Sequence, residues 1–496
     1  MEQKEAKQQS FKVNAIFSII YQVFKIIVPF ITTPYIARVL GNSNVGEYSY
    51  AYSIVYIFIT FASFGFTDYG NLKISQNRND KYQVSKTFYE IMIAKGILTT
   101  LSILIYLVII FTVYDFTQSL TLFLTLITFL ISTLIDCNFL LMGMENYKTI
   151  AIRDIFIKLI STVLIFTIIK DNSMASLITY AAILGGSTLL SSLLICFSVK
   201  KHLIKVKIKD LKIFSCVKES TIFFIPLIVS SIYLNFNKTL IGLITNDNLE
   251  NANYEQATKT INFVTTILCA LNSLITSRIA NVFAKEGYDG IRKKVEDVLH
   301  LIIAISIPSL IGVLLINNYF VNLFFGEGYE GTITLICYLS PNLITIPICY
   351  ALLSSYFIPT NKRGKANVVN ILIALVDLVL CVSLIPFIGS IGACIAFSVA
   401  EILQLIGFII LSKKDINRLK LLKISIKPVI SSIIMLAFGI LITYLTTQFV
   451  QNNLFMCIIL VISCSTIYLI LLYLLKDKLL IEQTKLIFSK IKKSKK

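Results

Sequence analysis

Lys25 stands near the middle of a long apolar stretch, with Asn14, Ser18 and Gln22 before it and Pro29 and Thr33 after it. At intervals of three and four residues these side chains share one face of a helix. A Lys or Arg at the centre of a membrane helix costs roughly 2.5–3.5 kcal/mol on insertion scales, and Lys25 is too deep to snorkel easily. Its polar stripe therefore points to a polar or water-filled interior. Two later stretches repeat the pattern. One carries Ser231, Asn235, Lys238 and Gly242; the other carries Lys259, Asn262, Thr266, Ser273 and Ser277, with Arg278 near its inner end. The three stripes are read as lining one shared cavity. Its positive charge suits an anionic substrate, and a low dielectric strengthens the attraction. The candidate substrate-binding residues are thus Lys25, Lys238, Lys259, Gln22, Asn235, Asn262 and Arg278. Lys238 and Lys259 lie in the outer third of their spans, where snorkelling to the external headgroups is the competing use.

Acids enter the apolar stretches at Asp136, Asp377 and Glu401, with Glu90 and Asp68 near their ends. Asp68, Asp136, Asp377 and Glu401 are candidates for a coupling Na⁺ or proton; interhelical pairing is the commoner use of such groups. Lys95 and Lys158 read as structural partners of nearby acids. Tyr48, Tyr50, Tyr52 and Tyr56 either stack on sugars or form the interfacial aromatic belt, which in a chain without Trp falls to Tyr. The ten cysteines sit mainly in apolar segments with neither metal spacing nor a disulfide framework. No catalytic residue, metal or cofactor is expected.

What must position these groups is a set of membrane helices. Of the 496 residues, 56% are hydrophobic and 15% charged, too little polar surface for a soluble protein. A bilayer core of roughly 30 Å needs about 20 helical residues, and run after run reaches that length. We place fourteen spans at 13–37, 46–67, 87–113, 119–141, 152–169, 174–199, 221–245, 254–284, 295–316, 332–358, 366–385, 391–411, 424–447 and 454–475. With both termini cytoplasmic, the external segments hold only Arg38 and Lys170 of the 45 Lys and Arg residues, as the positive-inside rule requires. The net charge of +18 is accordingly topogenic and lipid-attracting, and nucleic acid is excluded as a partner. The longest polar interval, about 200–220, is far too short to fold alone, so a separate soluble catalytic domain is also excluded.

The expected organisation is a cytoplasmic N-terminus over 1–12, a first lobe of six spans over 13–199, a basic cytoplasmic linker over 200–220, a second lobe over 221–411, a helix pair over 412–475, and a basic tail over 476–496. The tail is read as an amphipathic surface helix or a disordered topogenic segment. A faint internal repeat supports two halves: Tyr48-x-x-Ala51 opens span two and Tyr254-x-x-Ala257 opens span eight, each after a proline-bearing span.

Several stretches resemble a known family. Pro34-Tyr35-Ile36-Ala37-Arg38-Val39-Leu40-Gly41 with Gly46-Glu47-Tyr48-Ser49-Tyr50-Ala51 is similar to the opening of Wzx-type polysaccharide flippases, within the multidrug, oligosaccharidyl-lipid and polysaccharide exporter superfamily. Phe64 to Gly70, Leu141 to Tyr147, and Ile385 to Ala393 with Glu401 also look like that family. Asn251-Ala252-Asn253-Tyr254 departs from it, where a Val-Gly usually precedes the tyrosine. The resemblance implies an all-α membrane protein with two six-helix lobes around a central cavity lined by spans one, two, seven and eight, plus a C-terminal pair. It implies a flippase for undecaprenyl-pyrophosphate-linked oligosaccharide repeat units, working by alternating access in the cytoplasmic (inner) membrane. Lys25, Lys238 and Lys259 would attract the pyrophosphate or acidic sugars, and the prenyl tail would lie along spans thirteen and fourteen. Membrane lipids and a polysaccharide polymerase are the implied partners.

Three rivals are kept, one of them a peptidoglycan lipid-precursor flippase, which shares the architecture and which the sequence pattern only mildly disfavours. A drug or cation antiporter of the same superfamily would carry an acid-lined cavity. A membrane-embedded polysaccharide polymerase would carry a large external loop, whereas the loops here are short and His202 and His300 fall at or near the cytoplasmic side.

Overall fold

A peptide group in hydrocarbon has no water to bond, so its partner must come from its own helix. In the computed structural model, residues 2–113, 116–117, 119–413, 415–416 and 418–477 are described, and no strand occurs among them. The basic tail beyond Asp477 lies outside the described residues. All fourteen expected spans fall on helix. Among the described residues nine helices are long and apolar enough to cross a membrane, ten if the bent pair Glu330–Leu339 and Asn342–Phe357 is one span.

Three helical elements hold two spans each: Asn248–Phe324 carries spans eight and nine, and the other two break between their spans. The first element, Glu2–Ser63, has 62 residues and would be about 90 Å long if straight. It breaks at Gly41, whose φ of 72° and ψ of 169° no L side chain adopts comfortably. Arg363–Ser412 breaks in the same way at Ile388 and Gly389, just after Pro386. The Gly-bearing links seen in the sequence are thus the hairpin points between spans one and two and between spans eleven and twelve. The faces turned outward are apolar: Val108 is 62% exposed, Phe197 70% and Val379 63%, as lipid-facing side chains should be.

The chain divides into two units, Met1–Ala252 and Asn253–Lys496, so span seven belongs with spans one to six. Within the first unit, one core gathers Leu40, Val55, Tyr106, Leu126 and Leu177, and another gathers Phe66, Ile91, Phe139 and Ile195. Tyr48, Tyr50 and Tyr52 belong to the first core: Tyr52 meets Phe129 at 5.1 Å and Tyr48 meets Tyr180 at 5.0 Å between centroids. The basic linker is tied to span three, where the Glu90 carboxylate accepts the Lys212 N–H at 2.7 Å.

Spans two and seven run antiparallel along one seam. Gly46 packs on the Asn248 backbone and Gly242 on the Tyr50 ring. Further in, the hydroxyls of Ser53 and Thr239 are 2.8 Å apart, and Thr60 donates to Ser231 at 3.1 Å. At the inner end Gly65 lies on Phe223 and Phe224, and Lys73 pairs with Glu219 at 2.7 Å. Span seven crosses this seam with a π-helical turn at Ile232–Phe236, a local widening that often accompanies functional positions.

In the second unit, Val295, Ile302, Leu352, Phe357 and Phe408 form one core. Met435, Cys464, Tyr468 and Leu472 form another with Ile311, joining spans nine, thirteen and fourteen.

Candidate functional site

The first unit holds a connected set of charged and polar side chains between its helices. Lys25 Nζ lies 4.4 Å from the centroid of the Tyr21 ring, one helical turn below it. The Tyr21 hydroxyl donates to Asp154 Oδ2 at 2.7 Å. Asp154 also accepts from Arg153 at 2.7 Å and from Ser191 at 2.8 Å. Arg153 reaches on to Asn138 Oδ1 at 2.9 Å, and Asn138 donates to Asp136 Oδ1 at 2.5 Å. Asp136 receives Lys95, which bonds its carbonyl at 2.8 Å and stands 3.7 Å from its carboxylate. Spans one, three, four, five and six thus meet in one network, as buried charges require partners.

The expected residues fall into this picture unevenly. Lys25 and Gln22 are exposed on span one. Lys95 is 2% exposed and has the acid expected for it. Lys158, four residues beyond Asp154, makes no ion pair among the described residues; it lies within electrostatic reach of Asp154 and Lys25. Asn235 is buried inside the π-helical turn and Lys238 is half-buried just after it. Lys259 is paired with Glu255 of its own helix at 3.0 Å, so its charge is locally matched. Asn262 is half-buried. The Arg278, Ser273 and Ser277 side chains, like those of Asn14 and Ser18, lie outside the described ones.

Asp68 is exposed at the inner end of span two. Asp377 and Glu401, on spans eleven and twelve, are 0% and 6% exposed and interact electrostatically with each other. Nearby, Gln404 donates to Asn370 at 2.8 Å, tying the two spans together. Among the described residues no three His, Cys, Asp or Glu side chains group closely enough to hold a metal ion.

Asp154, Arg153 and Tyr21 are the residues the sequence reading passed over. The pair at 153–154 sits at the start of span five and read as ordinary boundary charge. A signal was present, since Tyr21–Lys25 and Asp154–Lys158 repeat one four-residue spacing in two spans of the same direction.

A cationic membrane network is open to several transporters, and comparison with known proteins narrows the choice. The sequence profile described as polysaccharide biosynthesis protein matches residues 11–279, more than half of the chain. The chain belongs to the polysaccharide biosynthesis protein family. Within reach of this family membership are two proteins, each named "Putative O-antigen transporter". The one from Escherichia coli (strain K12) is 21% identical over 407 residues, covering 79% of this chain and 94% of that protein. The one from Shigella dysenteriae is 22% identical over 380 residues, covering 76% and 93%. Among solved structures, the lipid II flippase MurJ in an inward closed conformation superposes with a TM-score of 0.71 at 18% identity, covering 94% of this chain and 99% of that one. An inward-facing multidrug resistance MATE transporter gives 0.57 at 12% identity, covering 78% and 98%. This member of the polysaccharide biosynthesis protein family therefore has the MurJ and MATE transporter fold. It is a multi-pass membrane protein, and the two relatives matched by sequence are named as transporters, not enzymes.

Proposed function

We propose that the protein is a flippase that carries undecaprenyl-pyrophosphate-linked oligosaccharide repeat units from the cytoplasmic to the outer face of the cell membrane, by alternating access, for surface polysaccharide synthesis. The observation that carries this reading is the accessible Lys25 at mid-span, backed by a network in which Lys95 faces Asp136 and Arg153 pairs with Asp154, in a chain of the polysaccharide biosynthesis protein family. A cation kept at hydrocarbon depth and reachable from outside the protein suits the pyrophosphate of a lipid-linked sugar. A cationic drug would be repelled by it, which weighs against the antiporter. Lys238, Asn235, Gln22, Asn262, Lys259 and Arg278 are the further substrate contacts in this reading.

The prenyl tail stays apolar throughout. In the second unit a cavity of about 400 Å³ is lined by Pro308, Gly312, Met435, Leu460, Cys464 and Tyr468 of spans nine, thirteen and fourteen, and we assign it to the tail. For a coupling cation, Asp377 and Glu401 are the better-suited acids, because Asp136 is matched by Lys95 and Asp68 is exposed. Both termini are taken as cytoplasmic, and a polysaccharide polymerase as the partner that consumes the product.

The test is the leaflet distribution of lipid-linked oligosaccharide in cells depleted of the protein. Complete units held on the cytoplasmic face support the flippase. Unpolymerised units collecting outside would make it a polymerase, and an unchanged distribution would favour the antiporter.

A further inference from the structure

Spans one and five both run outward from the cytoplasm and pack side by side. Their register is set at two levels. Near the inner end the Tyr21 hydroxyl bonds Asp154 across a sequence separation of 133. Near the outer end the Tyr35 hydroxyl bonds the Ile169 carbonyl across 134, at 2.6 Å, and the Tyr35 ring meets Phe166 at 4.5 Å. Two parallel helices held in one register at both ends keep it between them. Lys25 is four residues beyond Tyr21, and Lys158 is four residues beyond Asp154, each on the same helix face as its predecessor. The two lysines therefore stand at the same depth, one turn further into the membrane than the Tyr21–Asp154 bridge.

The charges on this ladder do not cancel. Asp154 is already matched by Arg153 at 2.7 Å. Arg153 is itself 8% exposed and its Nη1 has no partner. One turn deeper stand two cations that make no ion pair among the described residues, Lys25 exposed and Lys158 half-buried. Like charges at one level in low dielectric repel strongly, so the described residues leave this level short of an anion. A bidentate ligand with two negative groups would satisfy both ammonium ions at once.

Resting on the flippase reading, we propose that Lys25 and Lys158 form a two-cation site for a diphosphate ester, with Tyr21 and Asp154 as positioning residues that hold the two helices in register. Span five, which the sequence reading gave only a structural part, then supplies half of the anion site. Tyr21 fixes the Lys25 end by offering its ring to the ammonium and its hydroxyl to Asp154. Asp154 does not touch the ligand.

The experiment uses the full chain in nanodiscs, with farnesyl diphosphate, farnesyl monophosphate and inorganic pyrophosphate as probes, read by titration calorimetry. Lys25→Met and Lys158→Met each weaken farnesyl diphosphate binding by roughly 10- to 100-fold, the range of a lost charged hydrogen bond. The double variant loses less than the product of the two, because they act on one ligand. Lys158→Arg retains most of the affinity, and farnesyl monophosphate gains less than the diphosphate from having both lysines. Removing a cation from membrane depth does not unfold a helix, so Lys158→Met should melt no lower than the parent. Tyr21→Phe keeps the ring and loses the bond to Asp154; it weakens the diphosphate more than the monophosphate. Unchanged diphosphate binding in Lys158→Met, with loss in Lys25→Met, overturns the two-cation site and leaves the flippase reading standing. No binding of either prenyl phosphate by the parent protein overturns both.

Discussion

Among the described residues Lys95 is the most buried charge of the first unit, and its surroundings show why it is tolerated. Its ammonium bonds the Asp136 carbonyl and faces the same residue's carboxylate, so neither charge is left alone. Lys95→Met leaves that carboxylate in place without its cation, at a cost on the order of 3 kcal/mol. Lys95→Met with Asp136→Asn should recover most of that loss in a detergent thermal melt. A double variant no more stable than the single would show that Asp136 is neutralised by another group. Lys25 stood out in the sequence because a cation at mid-span of an apolar helix is costly. Asp154 did not, because an Arg-Asp pair at a span boundary is also what a snorkelling edge looks like. Lys259 read as a cavity cation on spacing alone, and only the structure puts Glu255 beside it.

At the scale of elements, hydrophobic run length and loop charge made the fourteen helices legible, together with their breaks at Gly41 and Gly389. Those signals are local. Which spans touch is not local: Ser231 and Gly242 were read as cavity-lining, and only the structure puts them in the seam between spans two and seven. Nor does any residue type announce the π-helical turn at Ile232–Phe236, since it is one extra residue accommodated in a turn. The seam makes a sharp prediction. Ser53→Cys with Thr239→Cys, whose parent hydroxyls are 2.8 Å apart, should form a disulfide under mild oxidation, while the single variants do not. The ten native cysteines are all free, so a cysteine-free background is the proper host. If the seam parts during transport, oxidation stops export and a reductant restores it. Normal export by the cross-linked protein would remove seam opening from the cycle.

The orientation proposed for the whole molecule rests on its basic residues, and it is checkable. Asn172→Cys, in the short loop before span six, should react with an impermeant maleimide on intact cells; Lys209→Cys should react only after permeabilisation. The reverse pattern would invert the topology. Between the segment after span two and the one before span seven, the hydrogen bond from Lys73 holds the Glu219 carboxyl below its ordinary value of 4.5. A carboxylate with a depressed value stabilises the folded state above its unfolded value. That contribution fades as pH falls below 4.5 and through the lower folded one. Both side chains are largely exposed, so the effect on stability is small. A carbon-detected titration of Glu219 should place its midpoint below 4.5; a midpoint at or above it would mean the ion pair does not persist in solution.

The hydroxyls that fasten spans two and seven have a second attachment. Ser53 also bonds the Tyr50 carbonyl at 2.7 Å, and Thr60 bonds the Tyr56 carbonyl at 2.8 Å, both within their own helix. Thr239 and Ser231 sit on helical backbone that offers the same refuge four residues back. Were the two spans to separate, the Ser53 and Thr60 hydroxyls would each keep a carbonyl partner, and the usual penalty for an unmet donor would not arise at those two positions. The two helices behave like surfaces with a built-in lubricant, adhesive in register and yet free of hysteresis when pulled apart. Ser53→Val and Thr60→Val would keep the shape and remove that lubrication, leaving the facing hydroxyls to find their own way home.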